Sequence, residues 1–183
     1  LPDIEEDAQA TIFYTSGTTG IPKGVTFTHK NLFLHTLSLA AIMKYPPLEL
    51  TDRDTFMSLV PMFHVHSWGM PYLAVLNGNK YVLPGKYEPT MILNLIKKER
   101  VTFSTMVPSI LYMILNAPNV EEYAEYLKGW KVIIGGAALP RGLYDKARKF
   151  GIIAIGGYGL SETRPVLSIA VKNEEVAKLS DEE

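Results

Sequence analysis

The 183 residues predict an open α/β architecture: a largely parallel sheet with helices on both faces, preceded by a β-hairpin. Three observations carry that reading. Short runs of β-branched and apolar residues alternate with stretches of helical periodicity through the middle and later parts of the chain. Those runs are apolar on both faces, as strands covered from two sides must be. Ahead of them, two β-rich segments flank a loop crowded with glycine and threonine, which is the pattern of a hairpin.

The hairpin strands are predicted over residues 10–14 and 25–28, and the sheet strands over 55–60, 80–83, 102–106, 131–134 and 152–155. Helices are expected at about 30–44, 67–77, 89–99, 108–117 and 140–149. Pro89 and Pro108 mark two of their starts, because proline suits the first helical position, where its missing N–H costs nothing. Strand and helix alternating at this spacing imply right-handed βαβ crossovers. The charged run Lys97-Lys98-Glu99-Arg100 reads as a solvated helix end. In open sheets of this kind ligands bind beyond the carboxyl ends of the strands. The segments 61–68, 135–140 and 156–163 each follow a strand, so they are expected to emerge at one edge of the sheet.

Composition narrows the function. With 47 % hydrophobic and 20 % charged residues the chain has the makeup of a globular domain. A net charge of −1 offers no basic footprint for nucleic acid. No apolar run reaches the ~18 residues of a membrane span. The acidic start Leu1-Pro2-Asp3-Ile4-Glu5-Glu6-Asp7 is not a signal peptide, so the default compartment is the cytoplasm. The absence of cysteine excludes disulfides, thiolate metal sites and a covalent thioester on this chain. The acidic start and the charged end both read as cuts through a longer enzyme.

The loop Thr15-Ser16-Gly17-Thr18-Thr19-Gly20-Ile21-Pro22-Lys23-Gly24 concentrates the chemistry. Glycines let the backbone approach a bulky anion and point its N–H groups into one concavity. Thr15, Ser16, Thr18 and Thr19 add hydroxyl donors, and Lys23 adds a positive charge. Together these suit a polyphosphate, although a plain polar hairpin turn is the alternative for any Gly/Thr-rich loop. It is not the Walker loop, which needs Gly-Lys-Ser/Thr at the mouth of a helix. His64 and His66 stand two apart, but only His29 and His35 remain as further imidazoles. A zinc site needs three or four ligands, so no histidine metal site is assigned.

The loop closely resembles the signature of the adenylate-forming (AMP-binding) superfamily, which includes acyl-CoA synthetases, firefly luciferase and peptide-synthetase adenylation domains. Three further segments match the family's motifs in order: Pro61-Met62-Phe63-His64-Val65-His66-Ser67-Trp68-Gly69, Gly135-Gly136-Ala137-Ala138-Leu139-Pro140 and Gly156-Gly157-Tyr158-Gly159-Leu160-Ser161-Glu162-Thr163. Among its branches the chain looks most like the long-chain fatty acid–CoA ligases. The resemblance implies the central part of the large domain over residues 1–183, without the start of that domain and without the C-terminal lid.

What the resemblance implies for chemistry is an acid–thiol ligase. ATP activates a carboxylic acid as an acyl-adenylate, and the acyl group then passes to coenzyme A, with Mg²⁺ as cofactor. Thr15, Ser16, Gly17, Thr18, Thr19, Gly20 and Lys23 would cradle the β- and γ-phosphates. Glu162 would hold Mg²⁺ and Thr163 contact the α-phosphate. Tyr158, between Gly157 and Gly159, would stack on adenine, and Gly135, Gly136 and Ala137 would lie along it. His64 would sit near the reacting carboxylate and the thiol channel. Trp68, with Gly135 and Ala138, would border the acyl group, with Met62, Met70 and Tyr72 as further tunnel candidates. The tryptophan favours a fatty acid, while core packing is its ordinary alternative. The full-length protein is open to homodimerisation, and the fragment alone is expected not to turn over. Alternatives are a non-catalytic nucleotide-binding module and an adenylation domain that hands its acyl group to a carrier protein, or to oxygen as in luciferase.

Overall fold

The computed structural model describes residues 3–16, 20–171 and 175–178. Strands β1 (Gln9–Thr15) and β2 (Lys23–Thr28) form an antiparallel hairpin in which Thr15 lies opposite Lys23. Helix α1 (His29–Ile42) follows at once, started by a reciprocal cap between Thr28 and Asn31. Each of those side chains satisfies an amide that the helix start would otherwise leave open.

A six-stranded sheet forms the body, in the order β4 (Lys80–Tyr81), β3 (Thr55–Ser58), β5 (Phe103–Met106), β6 (Lys131–Ile134), β7 (Ile153–Tyr158) and β8 (Ser168–Ile169). The first five are mutually parallel, and β8 closes the far edge antiparallel to β7. The chain runs from β3 outward to β4, then crosses back over β3 to β5. Order therefore reverses beside β3, the kind of place where open α/β sheets bind ligands.

Both faces are covered. Met57, Val132 and Ile134 pack with the helices α4 (Pro89–Glu99), α5 (Pro108–Leu115) and α7 (Arg141–Lys149). Phe56, Phe103, Ile133 and Ile155 pack on the other side with α1 and α3 (Met70–Asn77). Neighbours in one strand, Val132 and Ile133, thus enter opposite cores, which is why the strands lack a polar face. Trp130 is fully buried in the first core and donates its indole N–H to Ser104 Oγ at 3.1 Å. Among the described residues no helix is long and apolar enough to cross a membrane.

Five expectations need correction. The helix predicted over 67–77 begins properly only at Met70, because residues 65–68 turn the other way. Strand 80–83 is paired only at Lys80 and Tyr81, since Val82 makes one more bond to Phe56 O before the chain leaves through Pro84. Residues 156–158, expected in a loop, are the end of β7, held by Ile134 on one side and by β8 on the other. The stretch between α5 and β6 is not plain loop: a 3-10 turn (Val120–Tyr123) and the short helix α6 (Ala124–Leu127) bury Val120, Tyr123 and Leu127. The charged run at the end of α4 is not purely solvated either. Lys97 and Arg100 lie over the Tyr126 ring, and Glu99 pairs with Lys80 at 2.6 Å.

Candidate active site

Residues 65–68 are the strained element of this molecule. Val65, His66, Ser67 and Trp68 have φ of 49, 50, 54 and 58°, followed by Gly69 at 76°. They form α2 (Val65–Trp68), a single left-handed turn. An L-residue in that conformation costs ~1–2 kcal/mol, so four in succession require strong local anchoring. The anchors are visible. The Ser67 hydroxyl, 1 % exposed, lies 2.6 Å from both Ser58 Oγ and the Val60 carbonyl. Ser58 in turn sits 2.6 Å from Thr105 Oγ1 on β5. Val65 packs with Phe13 and Phe27 of the hairpin. The His66 ring stands edge-on between Phe13, at 4.6 Å, and Tyr72, at 5.1 Å. Burial lowers the His66 pKa and raises that of Tyr72, which keeps this aromatic stack neutral.

One left-handed turn thus sends its side chains in different directions: Ser67 to the sheet, His66 to the hairpin, and Val65 and Trp68 to a cavity of about 310 Å³. That cavity lies beyond the carboxyl ends of β6 and β7. It is lined by Thr15 from the hairpin, His64, Val65 and Trp68 from the turn, Gly135 and Gly136 after β6, and Gly157, Tyr158 and Gly159 at the end of β7. Leu160, Ser161 and Glu162 complete one wall, with Pro165 and Val166 behind them. Segments far apart in sequence therefore meet at the sheet edge where they were expected.

Two glycines are there for steric reasons. A Cβ on Gly135 would stand 2.9 Å from Trp68 Cη2 and 3.2 Å from the Gly157 carbonyl, so the indole can lie against bare backbone. At Gly159 a Cβ would run into the Pro165 carbonyl. Trp68 is only 7 % exposed, as its packing alternative expects, and its exposed part faces the cavity. Tyr158 is 58 % exposed and presents an open ring. Glu162 is the middle residue of a 3-10 turn (Ser161–Thr163), and among the described residues its carboxylate has no hydrogen-bond or ion-pair partner. The His64 ring is exposed at the mouth.

Other expected residues fall elsewhere. Lys23 is the first residue of β2, exposed and without an ion pair among the described residues, opposite Thr15 but outside the cavity lining. Ser16 and Gly20 are exposed beside it, whereas Gly17, Thr18 and Thr19 lie outside the described residues. The Thr163 hydroxyl is engaged locally: it accepts from Leu160 N at 2.8 Å and lies near the carbonyls of Leu160 and Pro165. It braces the turn that carries Glu162 and is not in the lining. Ala137 and Ala138 border a second cavity of about 610 Å³ on the far side of Gly136 and Tyr158.

The three tunnel candidates do not join Trp68. Met70 is buried in the core under α1, Tyr72 reaches Nδ1 of His66 at 3.4 Å, and Met62 lines a separate cavity with Phe63, Tyr81 and Leu83. Missed from sequence were Ile133, Leu160, Ser161, Pro165 and Val166 as cavity walls, and His66 as the tie between hairpin and turn. Only the local sequence Ser-Glu-Thr-Arg-Pro pointed that way, through the turn chemistry of its proline.

No cluster of three or more metal-ligating side chains occurs among the described residues. A family model described as AMP-binding enzyme matches residues 1–181. The chain belongs to the AMP-binding enzyme family. It is 37 % identical over 182 residues to a long-chain-fatty-acid–CoA ligase of Thermus thermophilus, covering 98 % of this chain and 33 % of that protein. It is 35 % identical over 166 residues to a medium-chain-fatty-acid–CoA ligase of Ectopseudomonas oleovorans, covering 90 % of this chain and 30 % of that one. Among solved structures, the inhibitor-bound N-terminal domain of FACL13 from Mycobacterium tuberculosis superposes with a TM-score of 0.78 at 29 % identity, covering 97 % of this chain and 44 % of that one. The o-succinylbenzoate coenzyme A synthetase of Bacillus subtilis, in complex with ATP and magnesium, superposes with a TM-score of 0.77 at 27 % identity, covering 91 % and 33 %. The chain spans about a third of the length of the curated relatives it matches. This membership agrees with the adenylate-forming resemblance carried by the four motifs.

Proposed function

We propose that this chain is the nucleotide- and acyl-binding core of an AMP-forming acyl-CoA synthetase that acts on a fatty acid, and that it forms the central part of that enzyme's large domain. The observation that carries the proposal is the meeting of Thr15, His64, Trp68, Gly135, Tyr158 and Glu162, from four separate motifs, around one cavity. The domain assignment is supported by α1, which exposes Phe33, Leu34, Leu37 and Ile42 while burying Leu39. Large apolar side chains exposed along one helix mark a surface that another part of a protein covers.

Adenylation joins two anions, since a carboxylate oxygen attacks the α-phosphorus and pyrophosphate departs. The site must therefore offset charge before the reactants can meet and again as the leaving group forms. Lys23, without an ion pair among the described residues and opposite Thr15, supplies a cation at the hairpin end for the β- and γ-phosphates. Tyr158 offers an open ring to adenine, worth on the order of 1 kcal/mol beyond area burial. Gly135 and Gly159 keep the walls thin enough for a flat base and an acyl chain to pass. Trp68 closes the acyl side and His64 stands at the mouth, near where the carboxylate and the coenzyme A thiol would meet.

The donor set fits Mg²⁺. That ion is held by one or two carboxylates together with substrate phosphates and water, and Glu162 on the cavity wall is a carboxylate with no partner among the described residues. When bound, the ion would offset phosphate charge. Thr163 then serves by bracing the Glu162 turn.

Calorimetry on the 183-residue chain tests this reading. ATP should bind weakly with Mg²⁺ present and more weakly with EDTA, and Glu162→Gln should shift the Mg²⁺ midpoint upward. An unmoved midpoint removes Glu162 as a ligand, and no nucleotide binding under any condition removes the proposal.

A further inference from the structure

We propose that Ser67 is a positioning residue: its buried hydroxyl holds the left-handed turn 65–69 closed and thereby fixes the Trp68 indole against Gly135 and the His64 ring at the cavity mouth. This rests on the reading of the cavity as the acyl and nucleotide site, and it deepens that reading by naming what keeps the wall in place.

The turn is closed at its end by Gly69 N, which donates to His66 O and Ser67 O. All four of its non-glycine residues occupy a region of φ that L-residues avoid. The Ser67 hydroxyl is the turn's polar link to the sheet, through Ser58 Oγ and Val60 O at 2.6 Å each. Both partners are rigid, since Ser58 ends β3 and is itself tied to Thr105 on β5. Burial pushes the Tyr81 phenol pKa up, and the nearby Ser67 and Ser58 hydroxyls offset part of that push.

Geometry then sets the direction of failure. Trp68 already lies against the Gly135 backbone, where even a methyl group would not fit. An indole released by its turn can only swing toward the cavity. Ser67 touches neither wall of that cavity itself, so its influence is exerted through the turn.

The chain contains two tryptophans, and Trp130 is sealed in the opposite core, so indole fluorescence reads the proposal directly. Acrylamide quenching is compared for wild type, Ser67→Ala, Ser67→Gly and Ser67→Cys, each also in a Trp68→Phe background. Alanine removes the hydroxyl but keeps the conformational penalty, whereas glycine removes the hydroxyl and accepts positive φ freely. The expected order of quenching is wild type, then glycine, then alanine, with alanine raised about twofold by local opening. Cysteine, a weak donor of similar size, should fall between wild type and alanine.

The differences should vanish in the Trp68→Phe background. Glycine more quenchable than alanine would indicate lost packing volume and overturn the proposal. So would equal quenching in all four proteins, or a change that persists without Trp68. If Ser67→Ala does not fold, the order of wild type, cysteine and glycine decides, and glycine no more quenchable than wild type overturns the clamp. The readout needs no ligand, so loss of ATP binding in wild type would defeat the functional reading and leave the clamp standing.

Discussion

His35 makes stability depend on pH in a window that the structure defines. Its ring lies on α1 against Gly69, where a Cβ would meet Cε1 and Nδ1 at 3.1 Å, and its Nε2 is buried with no hydrogen-bond partner among the described residues. Burial, helped by the nearby Arg164 guanidinium, lowers its pKa from 6.5 to about 4. The folded form therefore resists a proton that the unfolded chain accepts. Stability from this group is complete above pH 6.5, falls as pH drops from 6.5 to about 4, and levels off below that. At ~1.36 kcal/mol per pH unit the gap amounts to about 3 kcal/mol, and partial solvent access at the ring reduces this to roughly 2–3 kcal/mol.

Urea unfolding of wild type and His35→Leu at pH 7.5, 6, 5 and 4 isolates the effect, because carboxylates common to both proteins cancel in the difference. The wild type should lose roughly 2–3 kcal/mol relative to the leucine variant across that series, with most of the loss between pH 6 and 4.5. Arg164→Gln should make the loss shallower, since one of its two causes is gone. A difference that stays within about 0.5 kcal/mol at every pH would refute the burial argument.

Three other outcomes are expected. Lys23→Met in the full-length parent should depress adenylation more than ATP affinity, by roughly 2–4 kcal/mol of transition-state stabilisation, and pyrophosphate exchange within about threefold of wild type would remove its assigned role. Gly135→Ala should cost about 1–3 kcal/mol in thermal unfolding by overpacking against Trp68. Adding Trp68→Ala should recover part of that cost, and strict additivity of the two substitutions would show that they do not touch. Trp68→Ala alone, in the full-length parent, should change acyl chain-length preference at nearly constant ATP affinity, read from rates with a series of fatty acids. If it instead melts the domain, the burial of the ring dominates its role.

Much of this fold was legible from local chemistry. Strand β6 and helix α4 lie where the residue pattern puts them, because a run of apolar β-branched residues and a proline-started amphipathic stretch each favour one backbone state. The emergence of three motifs from one sheet edge also followed, since strand order and right-handed crossovers leave few alternatives. Edges were less legible. Lys80–Tyr81 and Ser168–Ile169 depend on what neighbours offer across the sheet, which no local window contains.

The four motifs by themselves identify a family and nominate the residues proposed to carry its chemistry, because a phosphate loop or a stacking tyrosine would need particular side chains at particular spacings. They do not say which of those residues face one cavity. That was decided by the left-handed turn at residues 65–68, whose conformation is locally unfavourable and persists only because Ser58, Val60, Phe13 and Tyr72 surround it. The turn sends Trp68 to the cavity and His66 to the hairpin, while Met70 and Tyr72 pack elsewhere. A pattern read with right-handed periodicity places all of them on one helix. Sequence therefore determined the family, through side chains at fixed spacings, and tertiary packing determined which of those side chains wall one cavity.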